Sequence, residues 1–135
     1  MATLLHLSFR VKSPARSAAL YVDLLDGRAV SIGPPLDSIG VIGVYFGRNA
    51  ENVLLDQIEL WPAGKHWAEG RFIDVESGAV PFGHLAVASD KTCEELAAIA
   101  AKHGVRLSME ERGLPYPVPV VYDHDGNFIE LFRAG

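Results

Sequence analysis

One cysteine, Cys93, is all the chain has in 135 residues, so no internal disulfide can form, which suits a reducing compartment. Lysine and arginine form no cluster, and with a net charge of −5 the chain lacks the basic footprint that nucleic-acid binding requires. No apolar run approaches membrane-spanning length. The opening stretch MATLLHLSFRV has no basic n-region, and His6 and Arg10 interrupt its apolar residues, so no secretory signal is expected and the cytoplasm is the expected location. A phosphate loop, a dinucleotide-binding glycine fingerprint and a serine-nucleophile elbow are also missing. What is present is an ordinary globular composition, 49% hydrophobic and 21% charged, in a chain long enough for a proper core.

The most informative feature is an internal repeat. HLSFRV opens the first half and HLAVAS the second, while QIELWP closes the first and FIELFRAG the second. Glu59 follows His6 by 53 positions, and Glu130 follows His84 by 46. Between them a helix start is expected at Ser13 in the first half and at Asp90 in the second, with glycine stops at Gly27 and Gly104. A repeat that keeps His, helix, glycine and Glu in register points to a duplicated unit with one site between the copies.

Periodicity adds detail. His6 to Val11 alternates as a strand, Ser13-Pro14 starts a helix that runs to about Leu25, and the β-like runs RAVSI, IGVIGVYFG and VLLDQIELW follow. Leu20, Leu24 and either Val22 or Tyr21 give that helix its apolar side. The second half repeats the order: FGHLAVAS, a helix ending near His103-Gly104, then VRLSME, PVPVVYD and NFIELFR, with DHDGN as a turn before the last strand. The expected fold is α+β: a first βαβββ module over 1–61, a linker or loop over 62–80, and a second βαβββ module over 81–135. Residues 62–80 are the least regular stretch and could lie over the site.

Side chains two apart on a strand share a face. Leu7/Phe9/Val11, Ile58/Leu60, Leu85/Val87 and Ile129/Leu131 form apolar faces suited to lie under the helices, so His6, Glu59, His84 and Glu130 are expected on the opposite face. Two imidazoles and two carboxylates are a ligand set for a divalent ion. Two carboxylates brought together without a cation would repel or force one to protonate. The other polar candidates read more simply. Cys93 sits in the first turn of the second helix beside Glu94 and Glu95, with no histidine to activate it, and is structural. His66 lies in the irregular linker, within reach of the site but expected in a surface loop, His103 favours the helix C-terminus, and His124 belongs to the turn.

HLSFRV…ALYVDLLDG, QIEL, GHLAVAS and YDHDGNFIEL together resemble the vicinal-oxygen-chelate superfamily, which includes glyoxalase I, extradiol dioxygenases, methylmalonyl-CoA epimerase, fosfomycin-resistance transferases and bleomycin-resistance proteins. The resemblance covers nearly the whole chain and implies two tandem βαβββ modules forming an open eight-stranded cup, usually in a homodimer. Bacterial glyoxalase I is the most similar in ligand pattern, and that likeness implies His6, Glu59, His84 and Glu130 as ligands of Ni, Zn, Co, Mn or Fe. It also implies Glu130 as the base that moves a proton next to a carbonyl, Glu59 as the second catalytic carboxylate, and Arg10 as a substrate-binding residue. The implied activity is a lyase or isomerase step on a small molecule such as an α-ketoaldehyde–thiol adduct. The family's asparagine four residues after the second ligand is replaced here by Ala63, and the proline of its final turn by His124. Two alternatives belong to the same superfamily. One is an Fe(II) extradiol-type dioxygenase using His6, His84 and Glu130, with Tyr122 at a matching position but no catalytic histidine before the final turn. The other is a metal-free, bleomycin-resistance-like binding protein in which Trp61, Phe128, Phe132 and Tyr116 stack on a ligand.

Overall fold

The computed structural model describes residues 4–49, 51–74 and 83–134. The chain divides into two compact units, Met1–Phe82 and Gly83–Gly135. The first runs β1 (His6–Val11), α1 (Pro14–Leu25), β2 (Arg28–Ser31), a 3-10 turn (Leu36–Ile39), β3 (Ile42–Arg48) and β4 (Leu54–Pro62), then the hairpin β5 (Lys65–Ala68) and β6 (Arg71–Asp74). The second runs β7 (His84–Ser89), α2 (Cys93–His103), β8 (Arg106–Glu110), β9 (Val118–Tyr122) and β10 (Phe128–Arg133). Each unit is a βαβββ module with a four-stranded mixed sheet, ordered β1-β4-β3-β2 in one and β7-β10-β9-β8 in the other. The first and last strands of each module pair in parallel, and the remaining pairs are antiparallel. The fold is the expected α+β pair of tandem βαβββ modules. No described helix is long and apolar enough to cross a membrane.

The expected faces are observed in the first unit. Phe9, Val11, Ile58 and Leu60 are buried with Val44, and α1 contributes Ala18, Leu20, Tyr21 and Leu24. Tyr21, not Val22, completes the helix's apolar side, and its ring lies 5.7 Å from that of Phe9. In the second unit Ile129 and Leu131 are buried with Val121, Leu96 and Ala100, while Leu85 and Val87 on the edge strand are half-buried.

The helix ends differ from the expectation in two places. Ser13 caps α1 as expected, accepting from the Arg16 N–H, but α2 is capped by Thr92 and not by Asp90. Thr92 and Glu95 form a reciprocal capping box that satisfies two otherwise orphaned N–H groups, which a cap two residues earlier would leave open. At the end of α1 the left-handed residue is Asp26 (φ 51°), and Gly27 is needed for a different reason: a Cβ there would stand 2.6 Å from the Tyr45 carbonyl oxygen. Gly104 is the left-handed cap of α2 (φ 66°), with open space where its Cβ would be.

Residues 65–74, read from the sequence as irregular, form the β5–β6 hairpin within the first unit. Residues 75–80 of the expected linker lie outside the described residues.

Candidate functional site: two matched His–Glu pairs

In the first unit β1 and β4 run side by side with His6 opposite Gln57, Ser8 opposite Glu59 and Arg10 opposite Trp61. Ser8 is small, and β3 places Gly43 on the other side of Glu59. The glutamate therefore has room to reach diagonally to His6, whose Nε2 lies 3.0 Å from Glu59 Oε1. Glu59 is buried, and half of the His6 side chain is exposed. Gly43 is constrained by its own neighbours, since a Cβ would stand 2.7 Å from Gln57 Nε2.

The second unit repeats the register. His84 stands opposite Phe128 and Ala86 opposite Glu130, so the small residue again faces the glutamate. His84 Nε2 lies 3.9 Å from Glu130 Oε1, and its ring stacks on Phe128 with centroids 4.8 Å apart. The turn before β10 holds both residues in place. Asp123 Oδ1 accepts from the N–H groups of Asp125 and Asn127, and the buried Asn127 side chain accepts from the N–H of Gly83, the residue before His84. His124, standing where the resembling family has proline, donates from Nε2 to the His103 carbonyl at 2.8 Å, tying the turn to the end of α2.

The expected substrate-binding residues divide. The Arg10 guanidinium lies 4.8 Å over the Trp61 ring and donates to His66 Nδ1 at 3.2 Å, so the hairpin histidine reaches the first-unit site. Burial pushes the Arg10 pKa below its ordinary value, while the charge of Glu59 pulls it the other way. Trp61 is buried, with Phe72 edge-on at 6.0 Å, and its indole N–H has no hydrogen-bond partner among the described residues. Phe128 lies between His84 and Tyr122, and Phe132 is half-buried on the same strand face as Glu130. Tyr116 contacts Arg133, whose guanidinium sits 4.1 Å over its ring. Cys93 is exposed at the first position of α2. A cavity of about 270 Å³ in the second unit is lined by Cys93 of α2 and by Met109, Pro119 and Leu131, strand positions that alternate with the Glu130 row and so place it on the helix side of the sheet.

Two groups escaped sequence reasoning. Arg112, in the loop after β8, donates from Nε to Glu130 Oε2 at 3.1 Å and from Nη2 to Glu110 Oε1 at 3.0 Å. Glu110 Oε2 accepts in turn from the Tyr122 hydroxyl at 2.8 Å. The hydrogen bond to Glu130, then that to Glu110, holds Arg112 above its ordinary pKa. The Tyr122 hydroxyl, with help from Arg112, holds Glu110 below the usual carboxylate range despite partial desolvation. The other missed group is a repeated row: Arg28–Tyr45–Gln57–His6 across the first sheet matches Arg106–Tyr122–Phe128–His84 across the second. Arg106 lies 3.9 Å over the Tyr122 ring.

Among the described residues no group of three or more His, Cys, Asp or Glu side chains that could hold a metal ion is found; each unit contributes a pair. The charge argument for a cation also changes. Glu59 has His6 against it and feels Arg10, and Glu130 has Arg112, so each carboxylate already has a positive or donating neighbour from the protein.

No family model and no curated protein matches this sequence. Solved structures do. The fosfomycin resistance protein FosX of Mesorhizobium loti is 16% identical, with a TM-score of 0.64, over 100% of this chain and 94% of its own. Lactoylglutathione lyase of Agrobacterium tumefaciens is 14% identical, with a TM-score of 0.64, over 99% and 95%. The trypanothione-dependent glyoxalase I of Leishmania major is 21% identical, with a TM-score of 0.55, over 98% and 87%. The chain, with its two tandem βαβββ modules, shares its fold with these solved structures.

Proposed function

We propose that this protein is a metal-dependent, glyoxalase-like enzyme that moves a proton next to a carbonyl on a small-molecule substrate. The observation that carries the reading is the equivalence of the two His–Glu pairs: His6 with Glu59 and His84 with Glu130 occupy the same register positions, each glutamate opposite a small residue. The donor set fits a divalent ion, because neutral imidazole nitrogens and carboxylate oxygens suit Ni, Zn, Co, Mn and Fe alike. A bound ion of this kind supplies Lewis acidity to the carbonyl oxygen of the substrate.

The chain's own groups supply the rest. Glu130 Oε1 takes the proton from the carbon beside the carbonyl and returns it to the neighbouring carbon, a role open to a carboxylate oxygen that stands 3.9 Å from His84, beyond hydrogen-bond reach. Glu59, buried and anchored by His6, is the second carboxylate of the pair. Arg10, braced by Trp61 and His66, presents a fixed cation for an acidic group on the substrate. With Ala63 where the related enzymes carry asparagine, the thiol partner need not be glutathione.

Elemental analysis of protein purified without chelator, compared with Glu59→Gln, tests the reading. Stoichiometric metal that falls on losing Glu59 supports a four-ligand site. Metal retained equally without Glu59 moves the assignment to a three-ligand site of the dioxygenase or transferase type. No metal, even after reconstitution, removes the enzyme reading in favour of small-molecule sequestration.

A further inference from the structure

Glu130 already has a cation. Arg112 Nε donates to its Oε2 at 3.1 Å, while Oε1 faces His84 across 3.9 Å, beyond hydrogen-bond reach. The first unit provides an internal control. The loop equivalent to the one bearing Arg112 spans residues 32–41 and contains no basic residue, and there the His–Glu pair closes to 3.0 Å. The pair that lacks a loop arginine is closed; the pair that has one is open.

We propose that Arg112 is a displaceable resident counter-ion of Glu130, with which a divalent cation competes for that carboxylate. The inference rests on the metal-binding reading above. The arrangement makes release inexpensive. Arg112 is shared between two carboxylates, so when it leaves Glu130 it remains hydrogen-bonded to Glu110, whose other oxygen is held by the Tyr122 hydroxyl. The guanidinium is left in a neutral pair and is never stranded without an anion. About a third of the Arg112 side chain is exposed, so the loop residue can swing without disturbing buried packing. Without a cation, Arg112 holds Oε2 of Glu130 while Oε1 stands 3.9 Å from His84; with one, a dication competes with a monocation for the carboxylate. The effect is a threshold: cations that bind carboxylates weakly do not displace a charge-assisted hydrogen bond.

The test uses the whole chain, stripped of metal and titrated calorimetrically with Zn²⁺ and separately with Ni²⁺, for wild type, Arg112→Gln and Arg112→Lys. Displacement predicts that Arg112→Gln binds about five- to tenfold tighter than wild type, the scale of one partly exposed charged hydrogen bond. Arg112→Lys, keeping the charge without the fork, falls between them. Equal or weaker binding by Arg112→Gln, with wild type binding normally, overturns the inference and leaves the metal reading standing. No binding by either protein overturns both. Should Arg112→Gln fail to fold, the arginine Nε–H resonance assigned by its loss in Arg112→Lys decides the matter in wild type: it shifts on metal addition if Arg112 is displaced, and stays fixed if it is not.

Discussion

The two modules hold equivalent His–Glu pairs in different electrostatic settings. In the first, Glu59 closes on His6, and its arginine comes from the same strand face, where Arg10 is braced by Trp61 and His66. In the second, the position equivalent to Arg10 is Ala88, and the arginine arrives from a loop to take one oxygen of Glu130. Duplication has thus kept the pair and relocated its counter-charge. The strand-borne arginine is half-buried and fixed, whereas the loop-borne one is shared and movable. Under the proposed function this is a division of labour: the first module offers a rigid anchor and the second an adjustable carboxylate, which suits Glu130 better than Glu59 for moving a proton.

The same divergence reaches the scaffold, and the helix ends break the comparison most sharply. Gly27→Ala forces a Cβ against the Tyr45 carbonyl, and backbone cannot yield as a flexible side chain does; urea unfolding should show a loss of about 2–3 kcal/mol. Gly104→Ala meets only the left-handed backbone penalty in open space and should lose about 1 kcal/mol. Equal losses at the two sites would mean that strand β3 can shift to admit the methyl group added at position 27, and that close approach does not explain this glycine.

A smaller contrast lies at the helix starts. Ser13 caps α1 with one side-chain hydrogen bond and a proline at the first position, whereas Thr92 and Glu95 cap α2 reciprocally. Thr92→Ala should cost about 1 kcal/mol by chemical denaturation, and Ser13→Ala about half that, since the fixed φ of Pro14 remains. Glu95→Gln, which preserves the box, should be nearly silent.

These positions also show what the sequence could and could not reveal. Strand alternation and the His-to-Glu repeat were enough to identify the two-module fold and its apolar faces, because each depends on period and spacing alone. The capping of α2 was legible too, as Thr-x-x-Glu, but the more acidic-looking Asp90 drew the assignment two residues early. The matched rows through Tyr45 and Tyr122 could be found only with strand register in hand, since the loops between strands differ in length. Arg112 carried no signal at all. It lies in an aperiodic loop, 18 residues before its partner, and nothing about such a residue's spacing says which carboxylate it will find. Arg112 and Glu110 thus give Glu130 a counter-charge that strand period does not show.

The finest test of the contrast between modules is its pH dependence. Glu110 has no acidic counterpart in the first unit, where Ile32 stands at the equivalent position after Arg28. Its folded-state pKa is depressed, chiefly by the Tyr122 hydroxyl, so its stabilising contribution is fully present above the unfolded carboxylate value of about 4.3 and is lost as pH falls through the lower folded value. The contribution is small, because the group is only partly buried. Side-chain carboxyl NMR should show Glu110 titrating below the ordinary range, and Tyr122→Phe should move that titration upward by removing the leading cause. Glu110→Gln should then flatten the acid-side fall in stability measured between neutral pH and about pH 3. A titration of Glu110 that ignores Tyr122→Phe would break the link, leaving Arg112 and the Ser108 side chain to hold this carboxylate and making the sharing of Arg112 between Glu110 and Glu130 the main competition at this site.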